Sequence, residues 1–458
     1  MKTTYLAVAL CLAAFLCAGQ PSREIDSVLQ IALRRGIFNG NALVVHRGQT
    51  VLNRSYGYAR ADKSRLLTPD YRFDIGSITK EFNGVGILWL KEKGKLSLDD
   101  PISRYLVLPE WGNRVKIRHL IQYTSGIPES PDYPDEAADL TWLRNLKTLA
   151  FSPGEGYLYS HPNVFLQQKI IEKASGMSYA RFVETYFLKP MGMTHTGVDL
   201  PIGDSLVAEG FSNGFEPLRY ETRSTGWVRP TTADLLKWME AIYRNRLIST
   251  ESTQQLAEAY GFGESSLGTV RFENGAFVSH YHQGSNHGFE GMIYRNARED
   301  IVIILLTNNQ NMRVGALRDV IESVLLRKPY IVPKKSLYLD IREKMLADFP
   351  AGIAVLNALR ETQQDTYDFN AEKYELFTTG KYLMRRDRLE DAIALFQLSA
   401  MLFGASREVT NPYEFIGQCY RKKGNLPLAL LYFQKAAEAD PENKNARAAW
   451  ESGRKEQP

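Results

Sequence analysis

Cysteine is scarce in this chain. The 458 residues include three, Cys11, Cys17 and Cys419, and the first two fall in an apolar N-terminal stretch. Without that stretch Cys419 stands alone, so no internal disulfide can form and a four-cysteine zinc site is excluded. An excess of either charge is also missing. Fifty-six Lys and Arg against 52 Asp and Glu leave +4, with no basic cluster, which removes the reason to expect nucleic acid. No Gly-x-Gly-x-x-Gly or Walker-type loop points to a nucleotide. The apolar run Tyr5–Cys17 falls short of the roughly 20 residues that span a bilayer.

What is present is ordinary globular composition, 44% hydrophobic and 24% charged, at a length that predicts two or three domains. Residues 1–19 read as an export signal, with Lys2 as the positive start and Cys17-Ala18-Gly19 as small residues before Gln20. A lipid anchor on Cys17 is disfavoured, because Ala14-Phe15-Leu16 lacks the usual small residue before the cysteine. The expected location is therefore periplasmic or secreted, with no membrane span in the mature chain. Cys419, on a predicted helix, is expected to be buried and inert.

Residues 20–36 have the apolar spacing of an opening helix. Strand-like runs follow at Ala42–Val45 and Thr50–Asn53, joined through Arg47-Gly48, and a second pair lies at Gly291–Arg295 and Ile301–Thr307. From about 328 the chain changes character. Two prolines and a basic run at Lys328–Lys335 read as a linker. Helical segments are expected at 337–362 and from 371 onward. Gly380, Ala392 and Phe396 recur as Gly417, Ala429 and Phe433, at one constant offset. That internal repeat resembles the small and aromatic positions of a tetratricopeptide repeat, with the 337–362 helices as a cap.

The chemistry concentrates at Phe73–Lys80, Phe-Asp-Ile-Gly-Ser-Ile-Thr-Lys. Ser77 and Lys80 are one turn apart at a predicted helix start, so Lys80 can reach the Ser77 hydroxyl. A helix N-terminus favours the negative charge that develops when a serine attacks a carbonyl. Ser-x-x-Lys alone is a weak signal, expected about once or twice by chance in a chain this long. Its surroundings carry more. Asn39-Gly40, Ala42–Val45 and Gly48 precede it, and Gly94–Pro101 follows. Then come Lys116–Pro128 with Thr124-Ser125-Gly126, Pro153-Gly154 leading to Tyr159-Ser160-His161, and Lys189–Met193. His282-Gln283-Gly284 with Gly288-Phe289 closes the series.

These blocks, in this order from Asn39 to Phe289, resemble the serine β-lactamase-like superfamily in its class C, D,D-peptidase and esterase branch. The resemblance implies an α+β fold, an antiparallel sheet flanked by helices, followed by an all-α tetratricopeptide-like domain. The expected division is a signal peptide at 1–19, a serine hydrolase domain at 20–327, linker and capping helices at 328–370, and repeats at 371–450. It implies an acyl-enzyme on Ser77 and hydrolysis of an ester or amide, of esterase or D-amino-acid peptidase type, without a cofactor. Lys80 and Tyr159 share the base role, and which of them holds the proton stays open. The backbone N–H groups of Ser77 and Ser285 would form the oxyanion hole, and Gly284 would allow close backbone approach.

His161 departs from the asparagine usual in the family; it is read as a substrate contact, with Asn163 as a stand-in. His282 occupies the place of a lysine that attracts the substrate carboxylate in β-lactamases and D,D-peptidases. This ranks esters or peptides above β-lactams. His280 and His282 alternate on a strand near His287, but no carboxylate is evident beside them, so no metal is expected. His46, His119 and His195 read as structural. The alternative is a binding module without turnover, whose helical repeat takes a protein partner.

Overall fold

The computed structural model describes residues 20–131, 135–200, 203–218, 226–261, 263–369, 372–404 and 411–455. The export signal expected at 1–19 lies outside the described residues.

A six-stranded antiparallel sheet organises the first two thirds of the chain. Its strand order is Gln49–Tyr56, Gly40–His46, Ile301–Thr307, Phe289–Asn296, Ala276–Asn286, Thr269–Glu273. The first hairpin turns at Arg47 and Gly48, both with positive φ, 52° and 70°, which suits a tight turn between twisted strands. Gly40–His46 then pairs along its full length with Ile301–Thr307, from Gly40 opposite Thr307 to His46 opposite Ile301. The N- and C-terminal strands thus share one sheet, as the resemblance implied.

Ile301–Thr307 is an unbroken apolar run because both faces of the sheet are covered. Ile303 and Leu305 pack with the 20–34 helix and the Val314–Leu325 helix. Val302, Ile304 and Leu306 face a second core that includes Phe82, Leu88 and Trp238. Each such aliphatic side chain contributes about 1.5–3 kcal/mol by leaving water. The Thr79–Glu92 helix is buried along most of its length, and Phe82 stacks on Trp238 with ring centroids 3.8 Å apart.

The third core belongs to the C-terminal helices. The segment 337–362 holds two helices, Tyr338–Ala347 and Phe349–Thr362. Asp348 breaks it: its backbone is extended, and its side chain caps the second helix by accepting from Ala351 N at 3.0 Å. Pro350 then fits the first turn, where no N–H is needed. Five helices follow: Glu372–Met384, Leu389–Phe403, Pro412–Lys422, Leu426–Ala439 and Lys444–Lys455. The repeated glycines have one job. A Cβ on Gly380 would meet Phe396 at 2.7 Å, and one on Gly417 would meet Phe433 at 2.7 Å. Each glycine lets its helix approach the aromatic of the next, so the sequence repeat is a repeat of contacts.

Residues 328–335 have no regular structure but are tied down. Arg35 Nη1 donates to Val332 O at 2.7 Å and to Pro333 O at 3.0 Å, and Tyr330 OH donates to Glu24 at 2.9 Å. Arg313 pairs with Glu375 of the Glu372–Met384 helix at 2.8 Å, with both side chains under 10% exposed. Among the described residues no helix is long and apolar enough to cross a membrane.

Candidate active site

Ser77 sits in a single 3-10 turn, Gly76–Ile78, and the α-helix begins just after it at Thr79. Gly76 takes φ +51°, and Asp74 Oδ1 accepts from its N–H at 2.9 Å. Asp74 faces Arg229 Nε at 3.7 Å, with both side chains buried. This holds the turn so that the Ser77 hydroxyl meets two partners. Lys80 Nζ lies 2.7 Å from Ser77 Oγ, and Tyr159 Oη lies 2.7 Å from the same atom. Lys80 also stands 4.7 Å from the Tyr159 ring centroid.

Lys80 is 5% exposed. Burial pulls its pKa down to about 8, although Glu264 and Glu129 act in the opposite sense. Burial disfavours the charged form of Tyr159 too, and pushes its pKa well above the ordinary value, with Glu264 adding to the rise. Near neutrality the lysine is thus the group closer to giving up its proton, and the phenol keeps its own.

Tyr159 comes from a loop with no helix or strand to hold it. Its support is the Lys116–Pro128 segment. Tyr123 packs against Tyr159 with centroids 4.9 Å apart, Leu158 N donates to Tyr123 O at 2.8 Å, and Ser160 Oγ donates to Ile127 O at 2.8 Å. The Thr124-Ser125-Gly126 block therefore acts from beneath the loop.

On the other side of Ser77 lies the Ala276–Asn286 strand. A Cβ on Gly284 would stand 2.0 Å from Ile75 O and 2.6 Å from Ser77 N, and one on Gly76 would stand 2.5 Å from Ser285 N. Only bare backbones fit here, and they set Ser77 and Ser285 side by side.

The remaining expected contacts divide. His161 opens the His161–Ser175 helix, is exposed, and pairs through Nδ1 with Glu129 at 3.0 Å. Asn163 is a correction. It is 0% exposed; its Oδ1 accepts from Ser125 Oγ at 2.6 Å and its Nδ2 donates to Ser160 Oγ at 2.7 Å. Both ends of its amide are consumed by the scaffold, so it cannot stand in for His161.

His282 is 1% exposed and turned toward Glu81, whose Oε1 lies 2.8 Å from His282 Nδ1 and 2.8 Å from His280 Nε2. Trp238 Nε1 donates to the other carboxylate oxygen at 2.8 Å. Reading the sequence missed Glu81, the carboxylate beside the two histidines. It is one residue past Lys80, so it leaves the helix on a different face, and only the folded sheet brings it to the strand. Burial alone would raise the Glu81 pKa, but His280 and His282 together take it down to about 2. The donor atoms of Glu81, His280 and His282 lie within 4.8 Å of one another. Both carboxylate oxygens accept N–H donors at hydrogen-bond spacing, while His282 Nε2 is buried without a hydrogen-bond partner among the described residues. His119, expected to be structural, is so: its Nδ1 accepts from Lys116 N at 3.1 Å.

The family model for beta-lactamase matches residues 25–325. The chain belongs to the beta-lactamase family. Among curated proteins it is 29% identical over 361 residues to Penicillin-binding protein 4* of Bacillus subtilis, covering 68% of this chain and 78% of that one. It is 26% identical over 318 residues to Protein flp of Staphylococcus aureus, covering 62% of each chain. Solved structures share the fold at low identity. FmtA from Staphylococcus aureus matches at 22% identity with a TM-score of 0.56, over 67% of this chain and 90% of that one. A class C beta-lactamase matches at 19% with a TM-score of 0.58, over 67% and 96%. The octameric penicillin-binding protein homologue from Pyrococcus abyssi matches at 23% with a TM-score of 0.56, over 71% and 81%. The family match ends at residue 325, so the C-terminal helices are an addition to the family domain.

Proposed function

We propose that this beta-lactamase family member is an exported serine hydrolase that forms an acyl-enzyme on Ser77 and turns over an ester or amide, of esterase or D-amino-acid peptidase type. The observation that carries the reading is the pair of 2.7 Å contacts from Ser77 Oγ to Lys80 and to Tyr159. A serine is almost fully protonated at neutral pH and needs a base within reach. Lys80, with its lowered pKa, is that base. As Ser77 Oγ bonds to the substrate carbonyl carbon, its proton passes to Lys80 Nζ. The carbonyl oxygen becomes an oxyanion facing the backbone N–H groups of Ser77 and Ser285. Tyr159, held protonated, gives its proton to the departing alcohol or amine and is reprotonated through Lys80. Water then releases the acyl group by the reverse sequence.

Esters and peptides rank above β-lactams. The histidine at position 282, where β-lactamases carry the lysine, is buried and turned through Nδ1 to Glu81 inside the fold. The reading needs no cofactor and no nucleic-acid partner.

A fluorophosphonate probe tests it. Label on Ser77, mapped by mass spectrometry and abolished by Lys80→Ala, is the expected result. Loss of short-chain ester hydrolysis in Ser77→Ala should accompany it. A folded protein that takes no label would favour a second reading, a binding module whose helical repeat takes a protein partner. The exposed His161, paired with Glu129 where an asparagine is usual, is the feature on its side.

A further inference from the structure

The family match ends at residue 325, yet a residue far beyond it touches the loop that carries Tyr159. Asn445 Oδ1, in the first turn of the Lys444–Lys455 helix, accepts from Tyr157 N at 3.0 Å. Among the described residues it is the only acceptor for that N–H. Other donors of the loop go to the Lys116–Pro128 segment: Gly154 N to Thr124 O and Leu158 N to Tyr123 O, each at 2.8 Å. The loop is therefore held by the family domain and by the C-terminal helix together. A backbone N–H without a partner away from water is costly, and Asn445 supplies the partner that the family domain does not.

Both sides of this contact are built. On the helix side, Asn443 caps the helix by accepting from Ala446 N at 2.9 Å, and its Nδ2 donates to Glu414 of the Pro412–Lys422 helix at 2.8 Å. Ala446 is buried, and a Cβ on Gly453 would stand 2.5 Å from Leu430, so the last helix packs closely on the Leu426–Ala439 helix. On the loop side, a Cβ on Gly263 would meet the Tyr157 ring at 2.4 Å, and Tyr157 OH accepts from Glu264 N at 3.2 Å. Tyr260 OH donates to Glu155 O at 2.9 Å, and Lys444 Nζ lies 5.7 Å from the Tyr260 ring centroid. Tyr123 joins the two tyrosines of the loop, with its ring 6.2 Å from that of Tyr157 and 4.9 Å from that of Tyr159. A packed helix thus fixes residue 157, and residue 159, two positions on, meets Ser77 Oγ at 2.7 Å.

We propose that Asn445 is a positioning residue for Tyr159, so that the chemistry at Ser77 depends on the docking of the C-terminal helices. This rests on the hydrolase reading above and extends it to how that site is held: undocking the last helix releases the tyrosine loop. Tyr159 must keep its hydroxyl at Ser77 from a loop without regular structure. There the loss of one anchor allows a displacement that proton transfer does not tolerate.

The test uses the full-length protein. Asn445→Ala removes the acceptor, Asn445→Asp keeps an oxygen in its place, and Glu451→Ala, at an exposed position of the same helix, is the control. Two readouts are compared: the rate at which a fluorophosphonate labels Ser77, and hydrogen exchange of the backbone amides over 155–160. Asn445→Ala should label about 10-fold more slowly than wild type and exchange faster across that loop, with the urea midpoint little changed. Asn445→Asp should restore both, and Glu451→Ala should alter neither. Labelling at the wild-type rate in Asn445→Ala, or slow labelling that Asn445→Asp does not restore, would overturn the proposal. So would faster exchange throughout the chain with a lowered urea midpoint, which marks general destabilisation. If the wild type takes no label, the hydrolase reading fails by itself. Exchange then decides the anchor: a rise confined to 155–160 in Asn445→Ala supports it, and exchange equal to wild type overturns it.

Discussion

The carboxylate of Glu81 holds the ring of His282 at 2.8 Å, and at the same distance holds His280 two residues earlier on the strand. One helix residue thereby fixes the strand that carries Gly284 and Ser285. Removing one partner of a buried charged cluster is far more costly than removing a surface pair. Glu81→Gln keeps the shape but loses the negative charge that faces both rings. It should lower the urea unfolding free energy by about 3 kcal/mol. Stability equal to wild type would mean that the two histidines need no charge between them.

Lys80 gives the reaction its pH dependence. Its pKa lies near 8 rather than at the usual lysine value, so the neutral, proton-accepting form grows as pH rises through that point. Ester kcat/KM should climb on the alkaline side of neutrality and level off above about 8. Lys80→Arg, which cannot deprotonate, should abolish that limb together with activity. An inflection above about 10, where unperturbed tyrosine and lysine titrate, would remove Lys80 from the role of base.

Much of this was legible in the sequence, and the reason is local. The Ser77–Lys80 spacing is a property of one helical turn. The hairpin at Arg47-Gly48 needs only its own two residues. The constant offset from Gly380 and Phe396 to Gly417 and Phe433 marks one contact made twice. What escaped was set by the tertiary fold. Glu81 and His282 are 201 residues apart, and no short pattern joins them. Asn163 looked available because it lies two residues past His161, yet the helix turns it inward to Ser125 and Ser160.

Gly284 is the position where a single methyl group should stop the chemistry. Its added Cβ would meet Ile75 O at 2.0 Å, and a backbone oxygen held by a turn cannot move aside as a flexible side chain would. Gly284→Ala should push the strand from the Ser77 turn and separate the two oxyanion donors. The expected loss in kcat is about 100- to 1,000-fold, with a stability cost of about 1–3 kcal/mol from overpacking. Gly214→Ala is the control, since its nearest neighbours would be 3.6 and 4.0 Å away. If Gly284→Ala behaves like that control, the close approach of strand and turn is not required for turnover.

Glu290 predicts how stability itself responds to pH. It lies opposite Ser285 and is 1% exposed. Its carboxylate accepts from Gln283 Nε2 at 2.7 Å and Met312 N at 2.8 Å. Burial outweighs these donors and the Arg313 charge, and raises the pKa to about 7. In the unfolded chain the same group titrates near 4.5. The folded state therefore holds this proton more tightly. The stabilisation is fully present below the unfolded value and is lost as pH rises through about 7, on the order of 3 kcal/mol in all. Glu290→Gln cannot ionise and should escape that loss. Urea midpoints of wild type and variant, compared from pH 4 to pH 8, should diverge in favour of the variant as pH rises. Parallel curves would show that Glu290 ionises in the folded protein as readily as in water, and that the donors from Gln283 and Met312 offset its burial completely.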